Sequence, residues 1–211
     1  MKEGKRLTTD FTMKDVEILD YTACYSGFLH IDKLVLKHRL FQGGWSGAIT
    51  REIVRRAPGV GVLLYDPDLD KVLLVEQFRV GCLQDPKGPW KLELIAGLID
   101  KDESAGEVAI REAREEAAAN ITRLLPVCEY YNSPGSSVEK MRIFCARFDA
   151  RREEGFYGLD EENEDIRTVV LSRTEAEQAI RDGIIDNAMS LIALQWLSLN
   201  LDRVRQDLAS G

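Results

Sequence analysis

Residues 97–119 read GLIDKDESAGEVAIREAREEAAA, and this stretch guides the interpretation of the whole chain. Its second half is rich in alanine, glutamate and arginine, which favour an α-helix. At about 100° per residue, Glu112, Glu115 and Glu116 fall within about one third of the helix circumference. Like charges on one helix face destabilise it by about 0.2–0.5 kcal/mol per pair. The pattern therefore predicts an acidic ridge that holds a cation, the alternative being an ordinary acidic surface helix.

The residues before this helix are also informative. An apolar strand is predicted at 90–96, followed by a glycine-containing loop and the capping-box pair Ser104 and Glu107, which starts the helix. We expect backbone carbonyls near Ala96 and Gly97 to lie close to the acidic ridge. Carboxylate and carbonyl oxygens suit Mg²⁺ better than Zn²⁺, because Mg²⁺ is a hard cation that also binds substrate phosphates.

A longer spacing pattern includes the ridge. It is set by Gly97, Glu103, Arg111, Glu112, Glu115 and Glu116. This pattern resembles the Nudix box, G-x5-E-x7-R-E-U-x-E-E-x-G-U, in which U is aliphatic. Ala118 stands where the family has glycine, and we expect the helix to continue one or two residues further as a result, to Asn120. Arg111 is expected to be structural and to brace Glu103 or the loop.

Composition limits the possible partners. The 211 residues are 45% hydrophobic and 30% charged, enough for one domain with an N-terminal addition. The net charge of −8 argues against a nucleic acid as the main partner, since phosphate backbones are bound by basic surfaces. The four cysteines form no C-x-x-C pair, so neither a zinc site nor a disulfide framework is predicted. No apolar run is long enough for a membrane span or export signal, and we expect a cytoplasmic protein.

The remaining elements follow from periodicity and turn residues. Residues 1–54 predict a small antiparallel β unit, whose few apolar residues must pack on the domain 55–211 or on another subunit. Strands at 59–65 and 71–79 are expected to form a hairpin around the turn-rich residues 66–70. Further elements are expected as strands at 28–40, 48–54, 122–131, 141–148 and 166–171, and as helices at 174–182 and from 186 or 187 to beyond 201. The last helix is apolar nearly all round, which predicts burial.

The resemblance extends beyond the box. Segments similar to bacterial ADP-ribose pyrophosphatases of the Nudix superfamily are found at 51–53, 76–79, 131–135, 162–166, 185–188 and 192–197. Pro134, fifteen residues past the box (134 − 119), is typical of the ADP-ribose branch. The resemblance implies an α/β (α+β) Nudix fold, a mixed β-sheet sandwiched between helices. It also implies that the N-terminal antiparallel β unit is exchanged across a homodimer.

The resemblance implies a reaction and its metal site. The reaction is hydrolysis of the diphosphate bond of ADP-ribose to AMP and ribose 5-phosphate, with two or more Mg²⁺ ions as cofactors and Mn²⁺ as the alternative metal. The implied metal ligands are Glu112, Glu115, Glu116, Glu164 and the backbone carbonyl of Ala96. Glu162, in a mobile acidic loop, is the implied general base, and Glu112 and Glu116 are catalytic through the metal.

The resemblance also implies a substrate site. Its implied residues are Phe28, Arg51, Arg79, Gly97, Ser133 and Glu139. Phe28 would stack on adenine from the partner subunit, and the guanidinium groups of Arg51 and Arg79 would hold phosphate oxygens. The structural alternative is that Phe28 is a core residue and that the arginines pair with neighbouring acids such as Glu52 or Glu76.

Two other functions stay open from the sequence. A hydrolase of another nucleoside diphosphate sugar, such as GDP-mannose, would use the same box with different base and sugar contacts. A non-catalytic sensor of ADP-ribose would bind without turnover. The presence of Glu112, Glu115, Glu116 and Glu162 argues against the sensor.

Overall fold

The structure is a computed structural model that describes residues 8–99, 102–151, 154–159, 161 and 163–209. The chain divides into two compact units. One comprises Met1–Arg56 together with Ser133–Glu139, and the other comprises Ala57–Asn132 together with Lys140–Gly211. The acidic ridge belongs to the second unit.

The N-terminal unit is a three-stranded antiparallel sheet with the order β1-β2-β3. Its strands are β1 (Val16–Ser26), β2 (His30–His38) and β3 (Ile49–Arg55). The segment 133–139 joins this unit through the backbone of Val54, whose N–H donates to the Ser136 carbonyl at 2.8 Å and whose carbonyl accepts from the Val138 N–H at 3.2 Å. Phe28 lies in the turn before β2 and not in the strand predicted from residue 28.

The larger unit is built on one mixed sheet. Its strands are β4 (Gly59–Asp66), β5 (Lys71–Phe78), β6 (Trp90–Glu93), β7 (Ile95–Leu98), β8 (Leu124–Tyr131), β9 (Lys140–Arg147), β10 (Phe156–Tyr157) and β11 (Ile166–Ser172). The main order is β10-β11-β5-β4-β9-β8, and β6 and β7 pair with β5 and β4. Strands β4 and β9 are parallel, whereas the other pairs are antiparallel.

Helices cover both faces of this sheet. They are α1 (Ala105–Ala117), α2 (Arg173–Arg181), α3 (Ala188–Leu199) and α4 (Leu201–Ala209). Successive residues of a strand point to opposite faces. Val75 of β5 accordingly packs in the core that includes α1, and Leu74 packs in the core that includes α2, α3 and α4. The predicted mixed sheet between helices is confirmed. No helix among the described residues is long and apolar enough to cross a membrane.

Two predicted elements are each divided in the structure. The strand predicted at 90–96 is interrupted at Leu94, so that β6 pairs with β5 and β7 pairs with β4. The last helix does not continue beyond residue 201 as predicted, because it breaks at Asn200, which has φ −124°. The Asn200 side chain donates to the Trp196 carbonyl at 2.9 Å, and the Asn200 N–H donates to the same carbonyl at 3.0 Å, so both groups close the end of α3. The last turn of α3 is also not fully buried, since Leu199 is 85% exposed.

The end of α1 also differs from the prediction. The helix ends at Ala117, and Ala118 has φ 47° and ψ 26°, the left-handed conformation that usually belongs to glycine. The expected extension to Asn120 is therefore wrong. The physical reason is packing, because Ala119 and Ile121 are buried in the core beside α1, and only a change of chain direction brings them there.

Candidate active site

Local capping and packing fix the helix that carries the acidic ridge. The Ser104 hydroxyl accepts the Glu107 N–H at 3.3 Å, and the Glu107 carboxylate accepts the Ser104 N–H at 2.7 Å. The predicted capping box is thus confirmed. Val108 and Ala109, on the apolar face, are fully buried against the sheet. This packing fixes the rotation of α1 about its axis and thereby the direction in which the acidic ridge faces.

Two ridge carboxylates lie against strand β7. The Glu112 side chain occupies the space above Gly97, where any added Cβ atom would collide with the Glu112 carboxylate. Glu116 is only 2% exposed, and its carboxylate receives a long hydrogen bond, 3.4 Å, from the Ala96 N–H. The structure therefore brings Ala96, Gly97, Glu112 and Glu116 together. With Glu112 in this position, the close approach favours glycine at position 97.

Arg111 holds the other side of the ridge. Its Nη1 donates to Glu112 at 2.8 Å and to Glu115 at 2.9 Å. Its guanidinium also contacts Glu103 at 3.4 Å, as predicted. Arg111 thus pairs with Glu103, Glu112 and Glu115, and the Glu115 carboxylate points toward its guanidinium.

Burial dominates the electrostatics of the ridge. Burial raises the pKa of Glu112 to about 7, although the adjacent Arg111 opposes the change. Burial also raises the pKa of Glu116 well above its ordinary value, the negative charges of Glu112 and Glu164 add to this, and the charge of Arg79 opposes it. Ionised carboxylates are unfavourable in such a place unless a cation is close. The carboxylates of Glu112, Glu116 and Glu164 are therefore close enough to affect each other's pKa, and a bound cation would stabilise their ionised forms.

The residues present fit a divalent metal ion. Within the described ranges, no three His, Cys, Asp or Glu side chains are placed together so that they could hold a metal ion. Arg111 engages two of the ridge acids, Glu112 and Glu115. Yet the buried carboxylate of Glu116 has, among the described residues, only the long bond from Ala96. Burying a carboxylate that has one long hydrogen bond is costly. The carboxylate oxygens of Glu116 and Glu112, together with the adjacent backbone carbonyl oxygens, are ligands that suit a hard cation such as Mg²⁺.

Arg79 follows β5 on the same side of the sheet as the ridge. Its Nε donates to the Glu93 carboxylate at 2.7 Å. In the described part of the chain, neither of its terminal nitrogens makes a hydrogen bond. Its acid partner is not Glu76, which instead receives two bonds of 2.6 and 2.9 Å from Arg167. A guanidinium held only at Nε keeps its paired terminal nitrogens available for a phosphate.

The acidic loop before β11 contains two predicted residues. Glu164 is held by Leu159, whose N–H donates to its carboxylate at 3.3 Å and whose carbonyl accepts the Glu164 N–H at 3.2 Å. Gly158, at φ +107°, leaves room for Glu164 where a Cβ atom would collide. Glu162, the predicted general base, lies outside the described residues.

Four predicted substrate residues belong to the N-terminal unit. Phe28 is 83% exposed and is not a core residue of the chain. Arg51 is exposed and donates to a neighbouring backbone carbonyl at 2.7 Å, not to Glu52. Ser133 is exposed, whereas Glu139 is 7% exposed and its carboxylate lies 3.3 Å from the guanidinium of Arg56.

Sequence reasoning missed two polar residues on the ridge face of the sheet. Glu93 stands opposite Val75 in the β5–β6 pair, and Gln77 lies two residues beyond Val75 on the same face. Gln77 is 7% exposed, and its Nε2 is the one buried side-chain nitrogen or oxygen without a hydrogen-bond partner among the described residues. The alternation of Val75, Gln77 and Arg79 was the available sequence signal.

The chain is similar to a known protein family and to known proteins. Residues 55–189 match the family described as NUDIX domain. The chain is 41% identical over 199 residues to ADP-ribose pyrophosphatase of Haemophilus influenzae, covering 93% of this chain and 92% of that protein. It is 38% identical over 154 residues to GDP-mannose pyrophosphatase of Cronobacter sakazakii, covering 71% and 78%. A crystal structure of an ADP compounds hydrolase shares the fold, with a TM-score of 0.69 at 20% identity over 92% of this chain and 99% of that one.

The fold and the acidic ridge together define an α/β protein suited to holding a divalent cation against an anionic ligand. The domain match and the full-length relative make the assignment specific. The chain belongs to the Nudix family.

Proposed function

We propose that this protein hydrolyses the diphosphate bond of ADP-ribose to AMP and ribose 5-phosphate, with Mg²⁺ as the metal. The observation that carries the substrate is the 41% identity to an ADP-ribose pyrophosphatase over 93% of the chain. The relative that acts on GDP-mannose resembles a smaller part, 71% of the chain. ADP-ribose is therefore the first substrate to test, with GDP-mannose as the comparison.

The acidic ridge provides the metal site of the proposal. Glu112 and Glu116, with the carbonyl of Ala96, would hold the metal, and Glu115 and Glu164 would contact it at the periphery. Two or more Mg²⁺ ions are proposed, with Mn²⁺ as the alternative. When bound, the metal supplies positive charge to the diphosphate oxygens and lowers the pKa of water. The buried position of Glu116 keeps bulk water from weakening these interactions.

The remaining roles fall to the chain's own side chains. Arg79 offers its terminal nitrogens to the diphosphate, because the Nε bond to Glu93 leaves them available. Glu162 accepts the proton of the attacking water, and one P–O bond of the bridge then breaks to release the two phosphate monoesters. Glu164, in the same acidic loop, raises the pKa of Glu112 and of Glu116 through its charge, which supports a role of this loop next to the ridge.

The substrate is tested by product analysis. Purified protein is incubated at fixed Mg²⁺ with ADP-ribose, GDP-mannose or NADH, and the nucleotides are separated by chromatography. The proposal predicts that AMP forms fastest from ADP-ribose and that EDTA stops the reaction. Faster release of GMP from GDP-mannose would favour the alternative hydrolase. Binding of ADP-ribose with no product from any substrate would indicate a sensor.

The general base is tested by the substitution Glu162→Gln. Removing the base should lower kcat by about 10²- to 10⁴-fold while Mg²⁺ binding persists. Glu161→Gln, in the same loop, is the matched control and should retain wild-type turnover. A folded Glu162→Gln protein with wild-type kcat would exclude the assignment.

We also propose a homodimer in which the N-terminal unit, assigned to residues 1–54, is exchanged, and a catalytic domain at 55–211. The support is an apolar surface on that unit, where large side chains are exposed in the single chain. They include Ile18, Tyr21, Tyr25, Phe28 and Phe41, which are 48–87% exposed. Large apolar side chains exposed in this number are candidates for burial at a subunit contact. Light scattering should give twice the chain mass of 23.8 kDa, and Phe28→Ala should raise the KM for ADP-ribose if this ring stacks on adenine.

A further inference from the structure

The contact between Arg79 and Glu93 has the geometry of an orienting bond. Among the residues that the structure describes, Glu93 receives one hydrogen bond, from Arg79 Nε at 2.7 Å. The Glu93 side chain is 12% exposed, whereas that of Arg79 is 41% exposed. The acid is therefore the buried anchor, and the arginine extends from it toward solvent with its terminal nitrogens unused by the described residues.

The backbone on both sides of this contact is fixed. Glu93 lies in β6, opposite Val75 of β5. The Arg79 N–H donates to the Pro89 carbonyl at 2.8 Å, which joins the two strand ends. The rings of Phe78 and Trp90 also pack edge to face, with centroids 5.6 Å apart. Both Cα atoms are thus held in place, and the Nε bond removes much of the remaining freedom of the long arginine side chain.

We propose that Glu93 is a positioning residue that holds the guanidinium of Arg79 with its terminal nitrogens turned toward the substrate diphosphate. The inference rests on the proposed function, because it assigns Arg79 to the phosphates of that substrate. Glu93 does not touch the substrate and acts only through Arg79. Preorganisation of this kind lowers the entropy lost on binding and favours the reactive geometry.

The opposite view is that the ion pair only stabilises the fold. On that view, loss of either partner lowers the melting temperature without changing kcat/KM, most of all in Arg79→Ala, which leaves the buried Glu93 charge unpaired. The two views therefore predict different kinetics, different melting temperatures and different behaviour when both partners are changed.

The test is a double-mutant cycle on purified full-length protein with ADP-ribose and Mg²⁺. The variants are Glu93→Met, Glu93→Gln, Arg79→Ala and the combination of Glu93→Met with Arg79→Ala. Glu93→Met should lower kcat/KM by about 10- to 100-fold, and Glu93→Gln should lower it less, because its amide oxygen can still accept the Nε–H. In the Arg79→Ala background, Glu93→Met should have no further effect, because its only route of action is gone.

Glu76→Gln is the matched control. Glu76 lies on the neighbouring strand and also receives hydrogen bonds from an arginine, Arg167. Glu76→Gln therefore weakens the same kind of ion pair without changing the contact between Glu93 and Arg79. Its kcat/KM should stay within about twofold of wild type. Melting curves of all variants report on folding separately, and Glu93→Gln, which keeps the shape and an acceptor, covers the case in which Glu93→Met does not fold.

Three results would overturn the inference. A wild-type kcat/KM in Glu93→Met would show that Arg79 needs no anchor. If Glu93→Met does not fold, a wild-type kcat/KM in Glu93→Gln would show the same. An equal loss from Glu93→Met with and without Arg79 would show a role independent of Arg79. Absence of AMP from wild-type protein would refute the proposed function and the inference with it, whereas the first two results leave the proposed function intact.

Discussion

The substitution Glu116→Gln should make the metal-free protein more stable and the enzyme inactive. Glutamine keeps the shape of the buried side chain and can still accept the Ala96 N–H, but it carries no charge. The residue Glu116 is 2% exposed, and within the described residues its carboxylate receives one hydrogen bond, at 3.4 Å. Leaving such a group unsatisfied costs about 1–3 kcal/mol, and more when it is ionised. For a chain of this length, the melting temperature should rise by roughly 2–10 °C.

Magnesium should reverse this ranking. A metal present at about 100 times its Kd stabilises the wild-type protein by about 2.7 kcal/mol. The variant lacks Glu116, which we propose as a metal ligand, and should gain much less. Loss of a ligand that serves the reacting diphosphate should also lower kcat by at least about 100-fold.

The assay is thermal unfolding by circular dichroism in EDTA and in MgCl₂, with ADP-ribose turnover measured on the same samples. Glu52→Gln, the same substitution at an exposed position of β3, is the control and should change neither quantity. The reasoning is refuted if Glu116→Gln melts below wild type in EDTA. It is equally refuted if both proteins gain the same stability from Mg²⁺.

Three further outcomes are expected. Ala118→Gly should raise the free energy of unfolding by about 0.5–1 kcal/mol in chemical denaturation, because Ala118 has φ 47°. Gln77→Met should also stabilise the protein, by about 1–3 kcal/mol in the same assay, because it removes an unpartnered buried amide; a lower stability would contradict this. Burial acts to raise the pKa of Asp70, but hydrogen bonds from Arg173 and Tyr65 outweigh it and lower this pKa. Asp70→Asn should therefore be less stable than the wild-type protein at pH 7. Melting curves at decreasing pH should show this difference vanishing as wild-type Asp70 protonates below about pH 4.

The parts of the fold that depend on neighbours in sequence were predictable. Ser104 and Glu107 cap α1 because both bonds of the capping box lie within one turn. The acidic ridge follows from the helical period alone, and the hairpin of β4 and β5 follows from the turn residues 66–70. In each case the deciding contacts are local, and residue type and spacing are sufficient to specify them.

The parts that depend on distant contacts were not predictable. Glu93 becomes the partner of Arg79 only through the register of β5 and β6. The helix end at Ala118 is set by the burial of Ala119 and Ile121, which overrides the preference of alanine for the helix. The join between β3 and the residues 133–139 connects positions that the sequence gives no reason to pair.

The backbone bonds between Val54 and the residues 136–138 have a practical consequence for shortened proteins. A truncated chain that starts after Arg56 would keep the segment 133–139 but lose the strand that binds it. Its freed N–H and C=O groups would form an open edge that invites aggregation. Gene fragments for crystallisation, fusion or circular permutation should therefore retain both portions, because this unit cannot be cut from the polypeptide at a single point.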